Sequence, residues 1–445
     1  MPGVFIDVIL PANSSEGVAF ERVTTGCSIS SGAIPEIRIT KPTGGGRLPP
    51  AVDEPRPADA IFCFTFKNQR NSTMTTATLR GGNRVVHVCW PNGTSADFPF
   101  LWLRDNCPTG FHPDTRERQF DLTSIPLGLS VGNVSLEDGD IVVTWDGESH
   151  TSRFDPGWLY DHRPGIGLLD PAQVDATLWR ADFSPADLPR ATSSDLTSSD
   201  ALLLEFLLEA KKTGLAIVDG MAHDKDAGMA MARRIGFLRE TNFGTTFEVM
   251  SKPNPNNLAY TSHALPLHTD LANQELPPGF QFLHCLANEA EGGGSTFCDG
   301  FAIASDLRND EPEAFRLLSE TPVPFRFHDE DYDIRRHHTV IDLDLFGNMQ
   351  ELHFNAHLAG IFDLPADKME PYYTAYRKLM EMTRSERYVM TTRLRGGEMV
   401  IFDNRRVLHG RAAFDPNTGF RHLRGCYVDR GEFDSRIRVL SRLQG

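Results

Sequence analysis

From about residue 258 to the C-terminus the chain is a succession of short strand-like runs: FQFLHCL, TVIDLDL, QELHFN, EMVIFD and RHLRGCYVD. One long helical stretch, MEPYYTAYRKLMEMTRS, interrupts them. Ahead of them lie two helical patterns, DALLLEFLLEAKKTG, which should stop at Gly214, and DKDAGMAMARRIGF, with the strand LAIVDG between. Helices first and then many strands predict a mainly β core with flanking helices, a jelly roll being the natural all-β solution.

Two further segments precede this core. Residues 1–73 contain SSGAIPEIRITKPTGGGRLPPAVDEPRPADA, rich in Pro and Gly with little periodicity. This stretch is expected to be a disordered extension, with Met74 as the natural start; a regulatory or targeting extension is the alternative. Residues 74–165 read as a small N-terminal β domain. There RVVHVCW, DIVVTWD and HTSRF alternate, with Asn92-Gly93 and Asp138-Gly139 as turn signals. A polar bridge, LPRATSSDLTSSD, lies within the following segment, 166–445, which is assigned to the larger domain.

Composition narrows the function. A net charge of −16 on 445 residues excludes a non-specific nucleic-acid binder and a polybasic membrane anchor. No apolar stretch is long enough to span a membrane, and MPGVFIDVIL lacks the basic start of a signal peptide. The seven scattered cysteines form no C-x-x-C pair and suit a reducing, cytoplasmic compartment.

The stretch LPLHTD places His268 and Asp270 two positions apart. On a strand both point to one side, and two imidazoles plus a carboxylate on one face suit ferrous iron with positions left open. The pattern alone decides nothing, because with 15 histidines about one H-x-D should arise by chance, and His112-Pro113-Asp114 is a second copy. Context separates them. Downstream of the first, DNRRVLHGR offers His409 after an apolar strand, and Arg421 follows twelve residues later, able to grip a carboxylate. The second copy sits in turn chemistry with no such partner.

Together with FLWLRDNC, NNLAYTSHALPLHTD, PPGFQFLHCL, GGGSTFCDGF and RHLRGCYVDRGEFDSRIRVL, these residues resemble one family. It is the γ-butyrobetaine and trimethyllysine dioxygenase branch of the Fe(II)- and 2-oxoglutarate-dependent oxygenases, TauD/TfdA-like in kind. The resemblance runs from about Met74 to the C-terminus. It implies a double-stranded β-helix (jelly-roll) catalytic domain, Fe(II) on His268, Asp270 and His409, and Arg421 on the distal carboxylate of 2-oxoglutarate. It also implies 2-oxoglutarate and O2 as cosubstrates. The reaction would be hydroxylation of γ-butyrobetaine to L-carnitine, with 2-oxoglutarate decarboxylated to succinate. Trimethyllysine and 2-(trimethylamino)ethylphosphonate are the alternative substrates, and a non-catalytic sensor on the same fold is the alternative of another class. Homodimers are frequent among relatives.

The family holds its substrate's trimethylammonium in aromatic rings, and the matching positions are Phe243, Phe247, Tyr260 and Tyr427. The human-type enzyme has Tyr and Trp where this chain has Phe243 and Phe247. Asn257 and Asn355 match positions facing the substrate carboxylate, but HFNAHLAG lacks the second Asn frequent there. Arg335 and Arg336 are expected in a solvated network, or else near that anionic end. Of the family's N-terminal zinc ligands only Cys107 and His150 match, and two ligands do not close a tetrahedral site. A metal-free N-terminal domain is therefore expected, even with His112 and Asp114 at hand.

Overall fold

The computed structural model describes residues 75–80, 84–250 and 261–444, together with the backbone of 5–11 and 20–26. Its contacts divide the chain into two units, 1–71 with 80–83, and 72–79 with 84–445. In the first, the strands Phe5–Pro11 and Phe20–Gly26 pair antiparallel, Phe5 opposite Gly26. The rest of the stretch expected to be disordered lies outside the described residues.

The second unit opens with antiparallel strands whose inward residues, among them Val86, Val88, Phe98, Ile141, Val143 and Phe154, form their own apolar core. Asp138 and Gly139 both have positive φ, 54° and 94°, and join Val131–Glu137 to Asp140–Trp145 as a two-residue hairpin. That is the turn their types favour.

The larger part is built on two sheets. In chain order their strands are β1 (Arg190–Thr192), β2 (Leu215–Asp219), β3 (Phe247–Val249), β4 (Leu265–His268), β5 (Phe280–Asn288), β6 (Ser295–Asp299), β7 (Met390–Thr392), β8 (Met399–Asp403), β9 (Val407–Arg411) and β10 (Arg421–Val428). One sheet runs β3-β10-β5-β8-β2-β1 and the other β4-β9-β6-β7. All pairs are antiparallel except β1 with β2.

Period-two alternation sorts the side chains. Ala216, Val218, Phe280, Phe282, Met399 and Ile401 pack outward under helices Asp200–Thr213, Ala227–Ile235 and Arg430–Gln444. Their sequence neighbours Leu215, Ile217, Leu283, Val400 and Phe402 turn inward to meet Phe297, Met390 and Val407 of the other sheet. The first of those helices begins where the Ser199 hydroxyl accepts from Leu202 N–H. It ends at Gly214, whose φ is 73°, as the sequence indicated.

The polar bridge at 188–200 contains β1 and the helix Ser193–Ser198, which Thr192 caps by accepting from Asp195 N–H. One expectation needs correction. The strand-rich region holds more than one helix. Gly300–Asp310 and Pro312–Glu320 pack with Ala366–Thr383 over the outer face of the smaller sheet, and Arg430–Gln444 closes the chain. Short amphipathic helices bordered by strands carry too few turns for their period to stand out.

Candidate metal and cosubstrate site

β4 and β9 are antiparallel neighbours in which His268 lies directly opposite His409. The backbone ladder thus brings together two imidazoles 141 positions apart in sequence, with ring centroids 4.3 Å apart. Asp270 stands just past the end of β4. Its Oδ1 is 3.2 Å from His268 Nε2, and its Oδ2 is 3.7 Å from His409 Nε2. Donor atoms of the three lie within 4.8 Å of one another, the one such group of three among the described residues.

The hydrogen bonds and burial of the group suit a cation. His268 Nδ1–H donates to the Pro266 carbonyl at 2.9 Å, which fixes the ring with Nε2 toward Asp270. Burial, reinforced by His268, pulls the His409 pKa down to about 3, so this imidazole is neutral near pH 7. Burial pushes the Asp270 carboxyl up, but the neighbouring His409 and His268 and the Tyr427 hydroxyl outweigh it. The net shift is below the usual carboxylate range. Tyr427 O–H donates to Asp270 Oδ2 at 2.7 Å. Two imidazoles converging on one half-buried carboxylate match the donor set of a divalent transition metal.

These groups open into a cavity of about 350 Å³ between the two sheets. Arg421, the first residue of β10, is buried there. Its Nε donates to the Gly293 carbonyl, but Nη1 has no partner. Burial, and then Arg411, lowers its pKa to about 10. A buried guanidinium with an unused N–H on a cavity wall is a ready anion site. Arg411 lines the same cavity and bonds the Thr261 and His263 carbonyls through Nη2. In the sequence it stood out only as the last residue of DNRRVLHGR.

Across the cavity Phe243, Phe247 and Tyr427 line one wall. The Phe247 and Tyr427 rings are 5.1 Å apart, and Phe243 meets Phe327 edge-on at 5.2 Å. Phe327 was missed because its strand, Val323–His328, joins the cavity only through tertiary packing. Gln281 was missed too; it opposes Tyr427 in the β5–β10 register, is buried, and has an unpartnered Oε1 facing no protein donor.

Asn355 lines the cavity, but most of its amide is committed. Nδ2 donates to the Thr269 carbonyl, and Oδ1 accepts from His357 and Leu358 N–H. Asn257 and Tyr260 lie outside the described residues. Arg335 and Arg336 are not cavity residues. They are half exposed or more and pair with Asp333 and Glu275. The cavity's rim cation is instead Arg326, held by Asp333 at 2.7 and 3.0 Å.

In the N-terminal part, Cys107 Sγ lies 3.3 Å from His150 Nε2. His112 Nδ1 accepts from the backbone of Asp114 and Thr115, so the second H-x-D is a turn.

Residues 180–427 match the sequence profile of the taurine catabolism dioxygenase TauD, TfdA family, and residues 65–160 that of the γ-butyrobetaine hydroxylase-like N-terminal region. The chain belongs to this dioxygenase family and is a 2-oxoglutarate-dependent enzyme that uses iron. Among its relatives, the γ-butyrobetaine dioxygenase of Pseudomonas sp. (strain AK-1) is 45% identical over 80% of this chain and 94% of its own length. The human γ-butyrobetaine dioxygenase is 30% identical, covering 83% of this chain and 97% of the relative. The human mitochondrial trimethyllysine dioxygenase is 29% identical, covering 89% and 95%.

Proposed function

We propose that this enzyme hydroxylates γ-butyrobetaine to L-carnitine, with 2-oxoglutarate decarboxylated to succinate. The observation that carries this reading is the aromatic wall of Phe243, Phe247, Phe327 and Tyr427 beside the His268–Asp270–His409 group. A quaternary ammonium has no N–H to donate, and ring faces attract it by about 0.5–2 kcal/mol each.

In this reading the two sheets are the faces of a double-stranded β-helix within a catalytic domain, 166–445, preceded by a small β domain, 74–165. The separate family matches at 180–427 and 65–160 support that division. His268, Asp270 and His409 hold the iron. Bound Fe(II) supplies the site at which O2 oxidises 2-oxoglutarate and from which one oxygen atom enters a substrate C–H bond. The chain's own residues do the rest. Arg421 takes the distal carboxylate of 2-oxoglutarate through its unused N–H. Tyr427 keeps Asp270 ionised and oriented while its ring faces the substrate. The apolar wall excludes water from the carbon to be hydroxylated.

Arg326 and the remaining Asn355 N–H suit the substrate's anionic end. Because Asp333 already offsets the Arg326 charge, this end favours a monoanionic carboxylate over a phosphonate dianion. A cytoplasmic location is supported by the free state of Cys89, Cys107, Cys285, Cys298 and Cys426. No helix among the described residues is long and apolar enough to cross a membrane.

Turnover of γ-butyrobetaine, trimethyllysine and 2-(trimethylamino)ethylphosphonate, with Fe(II), 2-oxoglutarate and O2, tests the proposal by mass spectrometry of the hydroxylated products. γ-Butyrobetaine is expected to give the highest kcat/KM. A higher value for either alternative overturns the assignment.

A further inference from the structure

His268 and His409 are held by the β4–β9 ladder, but Asp270 is not. β4 ends at His268, and the residue after Asp270, Leu271, has a φ of 56° although it is not glycine. An L side chain adopts that conformation only at a cost, so something must hold the turn. The side chain that does so is Asn404, which is fully buried between β8 and β9. Its Oδ1 accepts from Asp270 N–H at 2.6 Å, and its Nδ2 donates to the Asp270 carbonyl at 3.1 Å. The same Nδ2 donates to the Pro278 carbonyl at 3.1 Å. One amide thus grips both peptide groups of a single residue, which requires a donor and an acceptor on one planar head.

The grip is itself anchored. Asn404 N–H donates to the Gly279 carbonyl, and Asp403 beside it receives the Arg430 guanidinium through both oxygens. On the other side Arg405 pairs with Glu351 and Arg406 with Asp299, all buried. Asn404 also lies five residues before His409, so one short turn fixes the carboxylate on one side of the site and continues into the strand that carries an imidazole.

We propose that Asn404 is the positioning residue of the metal site, setting the place of the Asp270 carboxylate through its two peptide groups. This rests on the reading of Asp270 as a metal ligand. A double-mutant cycle on the full-length, metal-free protein tests it, with Co(II) as the probe and its visible absorbance as the readout. Asn404→Ala is expected to weaken Co(II) binding about tenfold to a hundredfold, as loss of a group supporting a ligand does. In the Asp270→Ala background, where two imidazoles still bind Co(II) at raised concentration, the same change should cost less than about twofold. An equal loss in both backgrounds overturns the proposal, because Asn404 then acts through the fold at large. So does unchanged binding in Asn404→Ala. If Asp270→Ala alone leaves Co(II) affinity intact, the ligand reading beneath the proposal fails instead. Asn404→Ser, which leaves a smaller void, carries the same cycle if the alanine variant does not fold.

Discussion

Gly425 lies on β10 directly opposite Phe247 on β3, and the Phe247 ring rests over it. A Cβ at position 425 would sit 2.4 and 2.5 Å from Phe247 Cζ and Cε2, and 2.9 Å from Leu283 Cδ2. Ordinary contact begins near 3.4 Å, so Gly425→Ala requires the ring to retreat by about 1 Å. Leu283 blocks one side, and the backbone pairing of β3 with β10 prevents the whole strand from lifting. The ring must therefore swing toward the cavity or away from Tyr427, its neighbour at 5.1 Å. Overpacking of this kind costs about 1–3 kcal/mol. At 1.4 kcal/mol per factor of ten, a cost borne mainly by the substrate site raises KM for γ-butyrobetaine about tenfold. KM for 2-oxoglutarate should move little, because Arg421 lies four residues away along β10. Steady-state kinetics with each substrate varied separately measures this. Phe247→Leu in the Gly425→Ala background frees the space and should recover part of the thermal stability, though not the aromatic contact. A KM for γ-butyrobetaine within twofold of wild type, with unchanged Tm, refutes both the packing and the role given to Phe247.

Tyr427→Phe keeps the ring and removes the hydroxyl from Asp270, so Fe(II) affinity should fall about tenfold while KM for γ-butyrobetaine stays nearly constant; the opposite pattern refutes the assignment. Arg421→Lys replaces a fork by a point charge and should raise KM for 2-oxoglutarate about tenfold or more, at about 1.5–3 kcal/mol per charged hydrogen bond lost; an unchanged KM places the cosubstrate elsewhere. His338 stacks on His353 at 4.2 Å, and burial, then His353, lowers its pKa to about 4. In the unfolded chain it titrates near pH 6.5, at about the ordinary histidine value, so the unfolded state binds the proton first as pH falls. Its contribution to stability is complete above pH ~6.5 and is lost on acidification toward pH 4. His338→Gln should flatten the fall of Tm between pH 7 and 5, and an equal slope in both proteins rules the group out.

Much of the site was legible because its chemistry is carried by residue types at telling places. H-x-D on a strand end, a histidine after an apolar strand and an arginine opening the next strand selected His268, Asp270, His409 and Arg421 from a chain with 15 histidines. The same logic rejected His112–Asp114, which folds as a turn. Arg335 and Arg336, expected in a solvated network, lie in exposed pairs with Asp333 and Glu275, while Arg326, which drew no notice, lines the cavity. Nothing local distinguishes these arginines: Arg326 and Arg335 are cross-strand partners in one hairpin and both donate to Asp333.

By itself the sequence determined the mainly β pattern of the core and its first helices, the residue types of the His268–Asp270–His409 group and the aromatic character of its surroundings. These follow from residue type and short-range period. Only the tertiary structure decided the His268–His409 register, the Phe247 ring lying over Gly425, Phe327 joining the wall, and the Asn404 grip on Asp270. Each depends on contacts between segments from about 80 to 180 residues apart. A glycine that is needed for a neighbour's ring, or an asparagine needed for another residue's backbone, leaves no periodic mark in its own stretch of chain.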